Sequence, residues 1–395
     1  MISYDQALQQ VIETLAPLAP EERFLPEAAG CVLADPAIAR WDMPRCDNSA
    51  MDGFAVSGNA AGNNRSLKII GASYAGTPFT GNVQAGQAVR ITTGACLPSG
   101  TDTVIPLEDV AEEQGSVHPQ AKVARGQHVR RLGEEFRSDE ALAAAGTLLG
   151  AGEIGLLASA GIDRIRVIPP PRAAVLATGD ELVELGRIPG PGQIVNANLY
   201  FLQARLAECG IAADFLGIGA DDAASLEQLL TKAQSADIII STGGVSVGDK
   251  DLVHAALAGR SFRRVFWKVA IKPGKPLLFG TLSGSPFFGL PGNPAATAAT
   301  FELFVKPALK RLAGRDDVLP AKRSAILTTA VKGGGNRQAF LWSRLAWQNG
   351  SYRVTAASRQ GSGQTRCLYG ANALLPVAVG TEALPAGERV EVLLL

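Results

Sequence analysis

Histidine is scarce in this sequence, and closely paired cysteines are absent. The 395 residues include three histidines, and the five cysteines are scattered with no C-x-x-C pair. This excludes zinc fingers, the thioredoxin motif and most His-rich metal sites. An odd, dispersed cysteine count without a secretory signal fits a reducing cytosol. We therefore expect a cytoplasmic protein whose cysteines are mostly small hydrophobic side chains.

A surplus of either charge is also lacking. The 37 basic and 37 acidic residues give a net charge of zero, which argues against nucleic-acid and membrane-surface partners. The longest uncharged stretch, residues 276–301, contains four prolines, four glycines and Asn293. These would leave backbone groups unpaired in lipid, so we expect buried strands and turns there. Any anionic ligand must be held by local clusters of charge.

Glycine, in contrast, is abundant, and the chain is long enough for two to four domains. The 44 glycines imply frequent turns and close backbone approaches. Ser3 to Gln6 form a capping box before an amphipathic helix. Short β-prone runs separated by Gly, Pro and Asn clusters predict a β module from Pro44 to about Arg131, and residues 139–162 have helical character.

Beyond the triple proline at 169–171, a plausible domain boundary, strands and helices alternate. The predicted strands are 173–177, 215–218 and 237–241, and the predicted helices are 199–208 and 224–233. This alternation predicts a parallel sheet covered on both faces. Asn293 as cap and Pro294 at the first position predict a long helix with a kink at Pro307. Apolar runs beyond Pro320 predict a small C-terminal β domain.

The segment Gly244–Gly248 matches the G-x-S-x-G motif of serine hydrolases. The mechanism needs a histidine that folds back onto Ser246, and the only later one is His254. On the first turn of a following helix, His254 would lie roughly 10 Å from Ser246, so we disfavour a hydrolase.

The same segment is also a Gly-rich loop at the carboxyl end of a parallel strand, where ligands bind in open α/β sheets. Its backbone N–H groups, with those near Thr178-Gly179-Asp180, could approach phosphate oxygens. Glu181, Asp221 and Asp251 follow three strand ends and together predict a Mg²⁺ site. The alternative for each carboxylate is a helix cap. For the loop, it is a tight turn without a ligand.

Positive charge gathers in Trp267–Pro276, which holds Lys268, Lys272 and Lys275. A short basic run is usually a solvated surface. This one precedes Gly289–Pro294, a rigid turn into a helix N-terminus, which also favours an anion. The two segments together predict a small polyanionic ligand.

These segments resemble the MoeA family, the molybdopterin molybdenumtransferases, which are related to the gephyrin E domain. The resemblance is carried by Asp47–Ala55, Thr92–Ala95, Gly133-Glu134, Thr178–Leu182, Thr242–Asp251, Trp267–Pro276, Gly289–Pro294 and Gln360–Gly363. Cys46, Leu132 and Glu135 depart from the family pattern, in which an aromatic residue is usual at the position of Cys46.

The resemblance implies a multi-domain α/β plus β fold with an elongated subunit. Residues 1–40 and 138–168 would form a helical linking domain, and residues 41–137 a β-rich module. Residues 169–316 would form a MogA-like doubly wound α/β domain that binds molybdopterin, and residues 317–395 the C-terminal β domain. It further implies a homodimer whose site is shared between subunits.

The implied enzyme inserts molybdenum from molybdate into adenylylated molybdopterin, with Mg²⁺, and releases AMP. Partners could include the adenylyltransferase and the molybdoenzyme acceptors. The alternatives are an adenylyltransferase or a non-catalytic molybdopterin-binding scaffold. The expected catalytic residues are Asp52, Thr93, Glu181, Asp221, Asp251, Lys268 and Lys272, of which Glu181, Asp221 and Asp251 would bind the metal. The expected cofactor-binding residues are Arg130, Thr178, Gly179, Asp180, Gly243, Gly244, Ser246, Pro291, Gly292, Pro294 and Ser362.

Overall fold

The structure, a computed structural model, describes residues 1–61, 66–122, 124–220, 222–244, 257 and 260–395. The chain divides into two compact units. The larger unit comprises Met1–Glu21, Gly30–Val32 and Val167–Leu395, and the smaller unit comprises Glu22–Ala29 and Leu33–Arg166. None of the described helices combines the length and apolarity needed to cross a bilayer.

Side chains cap the starts of three described α-helices, the first of them as predicted. Ser3 and Gln6 form the predicted capping box, in which the Gln6 N–H donates to Ser3 Oγ at 3.2 Å. Asn196 and Asp222 cap the next two helices of the larger unit. The described helices are α1 (Tyr4–Thr14), α2 (Gly58–Ala61), α3 (Ala151–Ser159), α4 (Ala197–Glu208), α5 (Ala223–Lys232), α6 (Pro294–Thr300) and α7 (Lys306–Leu312).

Before residue 170 the described strands are short. They are β1 (Glu21–Phe24), β2 (Val32–Leu33), β3 (Ala37–Ile38), β4 (Asn48–Ser49), β5 (Gly53–Val56), β6 (Leu67–Ser73), β7 (Gln87–Ile91), β8 (Thr103–Pro106), β9 (Val110–Glu113), β10 (Ser116–Pro119), β11 (Val129–Arg130), β12 (Ala141–Ala143) and β13 (Arg164–Ile168). The expected helical character of residues 139–162 is therefore only partly correct, because β12 precedes α3 there.

The strands after residue 170 build the α/β and C-terminal domains. They are β14 (Ala173–Thr178), β15 (Leu182–Val183), β16 (Ile194–Val195), β17 (Ala213–Gly219), β18 (Ile238–Thr242), β19 (Phe262–Trp267), β20 (Ile271–Lys272), β21 (Leu278–Leu282), β22 (Ser285–Leu290), β23 (Lys322–Leu327), β24 (Val331–Lys332), β25 (Gln338–Gln348), β26 (Ser351–Ala356), β27 (Ala373–Val377), β28 (Ala383–Leu384) and β29 (Arg389–Leu394).

The predicted β module forms the sheet of the smaller unit. Its six strands run in the order β8-β5-β7-β6-β10-β9. Phe54, Leu67, Ile105 and Val117 are fully or almost fully buried on one face. The alternation of apolar residues along short strands thus gives this sheet its core.

The α/β sheet runs in the order β17-β14-β18-β22-β21-β19. Its first four strands are parallel, as predicted for β17, β14 and β18, but β21 and β19 pair antiparallel. Alternate residues enter two separate cores, Val175 and Ile240 with α4 and α6 on one face, and Ala174 and Ile239 with α5 on the other. The sheet is therefore covered on both faces, as in a doubly wound domain.

The helix after Asn293 is interrupted close to the position predicted for a kink. A π-helical turn, Phe301–Val305, separates α6 from α7, and Pro307 lies in the first turn of α7. Glu302 in this turn is almost fully buried and pairs with Arg205 and Lys306. The C-terminal sheet follows in the order β20-β25-β26-β23-β29-β27.

Candidate functional site

The strand registers place several predicted site residues along one edge of the α/β sheet. Ala177 lies opposite Thr242, and Thr242 lies opposite Leu290. Because these strands are parallel, their carboxyl ends meet at the same edge. Thr178 at the end of β14, Gly243 after β18, and the Pro291–Pro294 turn after β22 consequently lie side by side.

Lys268 belongs to the same edge because two hairpin pairings extend the row. Gly289 lies opposite Leu278, which in turn lies opposite Trp267. Four strand spacings of about 4.8 Å separate β19 from β14, so the edge extends about 19 Å. Lys268 has a φ of 70°, and its Nζ lies 3.6 Å from the centre of the Trp267 ring. The Trp267 ring therefore stabilises the Lys268 ammonium group through a cation–π contact.

Two glycines bring the loops of this edge together. Gly243 has a φ of 89°, and a Cβ atom there would lie 2.3 Å from the Thr178 carbonyl oxygen. The corresponding position on Gly292 lies 3.8 Å from the Gly243 Cα. Only a residue without a side chain fits the close approach at Gly243.

Asn198, on α4, connects both loops and was not predicted from the sequence. Its Nδ2 donates to Thr242 Oγ1 at 3.0 Å and to the Gly292 carbonyl at 2.7 Å. Its Oδ1, Thr178 Oγ1 and Ser241 Oγ are buried without a hydrogen-bond partner in the described part of the chain. The two asparagines at the start of this helix, Asn196 and Asn198, are the signal that could have indicated it.

Of the three carboxylates expected to bind a metal, Glu181 alone lies within the described residues. Glu181 is exposed, and its Oε2 lies 2.6 Å from where a Cβ of Gly179 would be. Asp222, which was not among the expected ligands, caps α5 by accepting from the Ser225 N–H at 2.7 Å. Within the described residues, no group of three or more His, Cys, Asp or Glu is arranged to hold a metal. Asp221, Asp251 and Ser246 lie outside the described residues.

A cationic cleft borders the Pro291–Pro294 turn. Its volume is about 690 Å³, and four of its lining residues are basic. No carboxylate is among the described residues that line it. Lys272 and Lys275 belong to the predicted basic run, whereas Lys332 and Arg337 were not predicted, because no local motif marks them. The cleft is suited to an oxyanion.

Asn293 holds the C-terminal domain against this turn. It occupies the predicted N-cap position of α6, but its side chain does not cap the helix. Instead, its Nδ2 donates to Ser362 Oγ at 3.1 Å, and the Ala295 N–H donates to the Ser362 carbonyl at 2.9 Å. The expected side-chain cap was therefore wrong, because Ser362 supplies the partners. Pro294 occupies the first turn as predicted.

In the smaller unit, Asp52 and Thr93 are in direct contact. Asp52 Oδ1 accepts from the Thr93 N–H at 2.7 Å and from Thr93 Oγ1 at 3.0 Å. Both hydrogen bonds lower the pKa of the Asp52 carboxyl, and the bond from the Thr93 backbone N–H makes the larger contribution. Asp52 is exposed and is therefore an ionised, oriented carboxylate at neutral pH.

Arg130 lies beside the same segment. It pairs with Asn48 in a two-stranded ladder. The neighbouring Arg131 Nη1 is 2.7 Å from Asp47 Oδ2, and Asp47 Oδ1 accepts from the Leu132 N–H at 2.8 Å. The hydrogen bond from the Leu132 N–H lowers the pKa of the Asp47 carboxyl, and the contact with Arg131 lowers this pKa further. Three sequence motifs of this unit therefore converge.

Two cysteines differ from expectation. Cys46 and Cys96 form a disulfide with a Cα–Cα distance of 5.9 Å, whereas we expected small hydrophobic side chains. The expectation is correct for Cys31 and Cys367, which are buried. Cys209 is half-buried. The 50-residue separation of Cys46 and Cys96 explains why no local spacing indicated the pair.

Three family models match successive parts of the chain. Residues 2–161 match the model of the MoeA N-terminal region (domains I and II), residues 174–311 a probable molybdopterin binding domain, and residues 324–395 the MoeA C-terminal region (domain IV).

Two relatives and one solved structure match this chain along almost their whole length. The chain is 35% identical to the molybdopterin molybdenumtransferase of Haemophilus influenzae, covering 99% of this chain and 98% of that protein. It is 32% identical to molybdopterin molybdenumtransferase 2 of Mycobacterium tuberculosis, covering 99% of each. The crystal structure of a molybdopterin biosynthesis MoeA protein from Pyrococcus horikoshii superimposes with a TM-score of 0.81 at 28% identity, covering 100% of both chains.

Proposed function

The chain belongs to the MoeA family of molybdopterin molybdenumtransferases, and on this basis we propose that it inserts molybdenum from molybdate into adenylylated molybdopterin and releases AMP. The chain is a transferase of molybdenum cofactor biosynthesis, with the predicted multi-domain α/β plus β fold. The substrates, the AMP product and the residue roles below are our proposal.

The row of strand ends supports this reaction most strongly. It places the Thr242–Gly244 loop, the Pro291–Pro294 turn and Lys268 along about 19 Å of one edge. That length suits an extended ligand better than a single phosphate. Gly243, with Thr178, Gly179, Asp180, Gly244 and Gly292, would let backbone groups approach the phosphates, and Lys268 would stabilise the negative charge.

The cationic cleft would receive molybdate. Lys272, Lys275, Lys332 and Arg337 line it, and the Ser362 hydroxyl offers a neutral donor. The cleft borders Pro291 and Asn293, so molybdate held there would lie next to the phosphate-binding turn. This proximity would favour transfer by positioning, without a covalent nucleophile.

Asp52 and Thr93 would orient the attacking oxygen. An ionised carboxylate accepts hydrogen bonds, and the two Thr93 donors fix its orientation. Arg130 would neutralise part of the ligand's negative charge. In the proposed homodimer, these residues from one subunit would act on a ligand held by the α/β domain of the other.

The proposed reaction includes Mg²⁺ because the Glu181 carboxylate is a type of ligand that this ion prefers. Glu181 presents carboxylate oxygens beside Gly179, where the lack of a side chain leaves room for them, and Mg²⁺ prefers such oxygen ligands. Asp221 and Asp251 would complete the set. When bound, Mg²⁺ would offset the negative charge of the phosphates.

The proposed setting is the cytoplasm. There the adenylyltransferase would supply adenylylated molybdopterin, and molybdoenzymes would accept the product. Such exchanges need no membrane and no nucleic acid.

The test is AMP release from purified protein supplied with adenylylated molybdopterin, molybdate and Mg²⁺. We expect AMP to form only when molybdate is present, and Asp52→Ala to abolish it. Glu113→Gln, an exposed carboxylate on β9, is the matched control and should retain activity. Binding of the ligand without any AMP formation would refute the transferase. Consumption of ATP with free molybdopterin would instead support the adenylyltransferase.

A further inference from the structure

The disulfide lies on the two segments that hold the Asp52–Thr93 contact. Cys46 precedes Asp52 by six residues, and Cys96 follows Thr93 by three. The proposed reaction does not use this disulfide.

Backbone hydrogen bonds also join the two segments that carry the disulfide. The Gly94 N–H donates to the Ser49 carbonyl at 2.8 Å, and the Ser49 N–H donates to the Ala95 carbonyl at 3.0 Å. The Leu97 N–H donates to the Asp47 carbonyl at 2.9 Å. These bonds keep the cysteine Cα atoms within the range that a disulfide requires.

The surroundings favour this pair over the other thiols. Cys46 and Cys96 are half-buried, so part of each residue is exposed to solvent. Cys31 and Cys367 are buried. Burial raises the pKa of the Cys209 and Cys367 thiols, which lowers their reactive thiolate fraction.

We propose that Cys46 and Cys96 form a reversible thiol modification site, at which exchange with a low-molecular-weight disulfide links or releases the segments holding Asp52 and Thr93. One cysteine thiolate attacks the small disulfide, forms a mixed disulfide and expels one thiolate. The second cysteine thiolate then attacks the protein sulfur of that mixed disulfide and expels the other thiolate. Two protein thiols and one small disulfide thus become one protein disulfide and two small thiols, with the two protons passing to the expelled thiolates.

Linkage fixes the separation of the two segments covalently. After reduction, hydrogen bonds and apolar packing still hold Thr93 against Asp52, but without a covalent link the segments open locally more easily. The cysteines would therefore act as positioning residues for the carboxylate. Thiol content and amide exchange report this effect without turnover, so the inference can fail or succeed independently of the proposed reaction.

The experiment equilibrates the full chain in buffers of varied ratio of glutathione to glutathione disulfide and then alkylates the free thiols with N-ethylmaleimide. Mass spectrometry should show two fewer alkylated cysteines in the oxidised form, both at the Cys46–Cys96 pair. Hydrogen exchange of a peptide covering residues 92–97 should become about tenfold faster on reduction, because local opening becomes easier. Exchange in α4 should not change.

Two variants provide the comparison. Cys209→Ser should respond to the glutathione ratio like the wild type. The double variant Cys46→Ser/Cys96→Ser should exchange like the reduced wild type at every ratio. The reduced wild type carries no substitution, so the test does not depend on whether the double variant folds. The proposal would be overturned if Cys46 and Cys96 stayed reduced at all glutathione ratios. It would also be overturned if the amide exchange rate of residues 92–97 were the same in the oxidised and reduced forms.

Discussion

The close approach at Gly243 gives the sharpest test of the sheet edge. Substitution by alanine would add a Cβ atom 2.3 Å from the Thr178 carbonyl oxygen, a backbone atom that cannot rotate away. Gly186 provides the matched control, since its φ of 92° is similar to the 89° of Gly243, and nothing lies within 4 Å of its Cβ position. The pair therefore separates backbone strain from steric overlap.

The expected magnitudes follow from these two terms. A left-handed conformation costs alanine about 1–2 kcal/mol, which both variants share. Overlap with fixed neighbours adds about 1–3 kcal/mol to Gly243→Ala alone. At about 2–4 °C per kcal/mol, Gly243→Ala should melt about 2–12 °C below Gly186→Ala.

Turnover should separate the two variants further. A displaced loop would misplace the phosphates, and a 1 Å error can cost about 100-fold in rate. The assays are thermal unfolding by circular dichroism and AMP release for each purified variant. Equal melting temperatures and equal rates for Gly243→Ala and Gly186→Ala would refute the argument that the edge is closely packed.

Three further predictions concern single side chains. Thr93→Val removes one of the two donors to Asp52, so the Asp52 pKa should rise towards its ordinary value, but only in part, because the larger backbone contribution persists; NMR titration of the carboxyl carbon measures this. Lys272→Ala should raise the KM for molybdate about tenfold, equivalent to about 1.4 kcal/mol, whereas the exposed Lys232→Ala on α5 should not. The pKa of the Asp317 carboxyl is lowered to about 2, and the hydrogen bond from the Arg315 side chain is the largest cause. Its contribution to stability is therefore present above the unfolded pKa and is lost as pH falls towards about 2. The melting temperature of wild type should exceed that of Asp317→Asn at pH 7 but not at pH 2; a constant difference would contradict this assignment.

Local patterns predicted two of the strands that form the edge. The apolar runs at 173–177 and 237–241 correspond to β14 and β18 within one residue at each end. The capping box and the first-turn Pro294 were also predictable, because each depends on neighbours three or four residues away.

Contacts between distant segments were not predictable in the same way. The edge reaches Lys268 because β19 pairs antiparallel with β21. Apolar runs in a sequence predict strands, but they do not show whether two strands pair parallel or antiparallel. Asn198 and Arg337 reach the site from elements far away in sequence. The Asn293 side chain was predicted to cap α6, but the Ser362 carbonyl accepts the hydrogen bond from the Ala295 N–H instead. Ser362 belongs to the C-terminal domain, so no local pattern around Asn293 indicated it.

The contacts of Ser362 also limit how far this protein can be treated as modular. Ser362 is near the end of the chain, yet its carbonyl accepts the Ala295 N–H in the first turn of α6, and its hydroxyl binds Asn293. A truncation after residue 316 would leave these donors unpaired at the start of a buried helix. The α/β domain and the C-terminal domain must therefore be expressed, exchanged or engineered together.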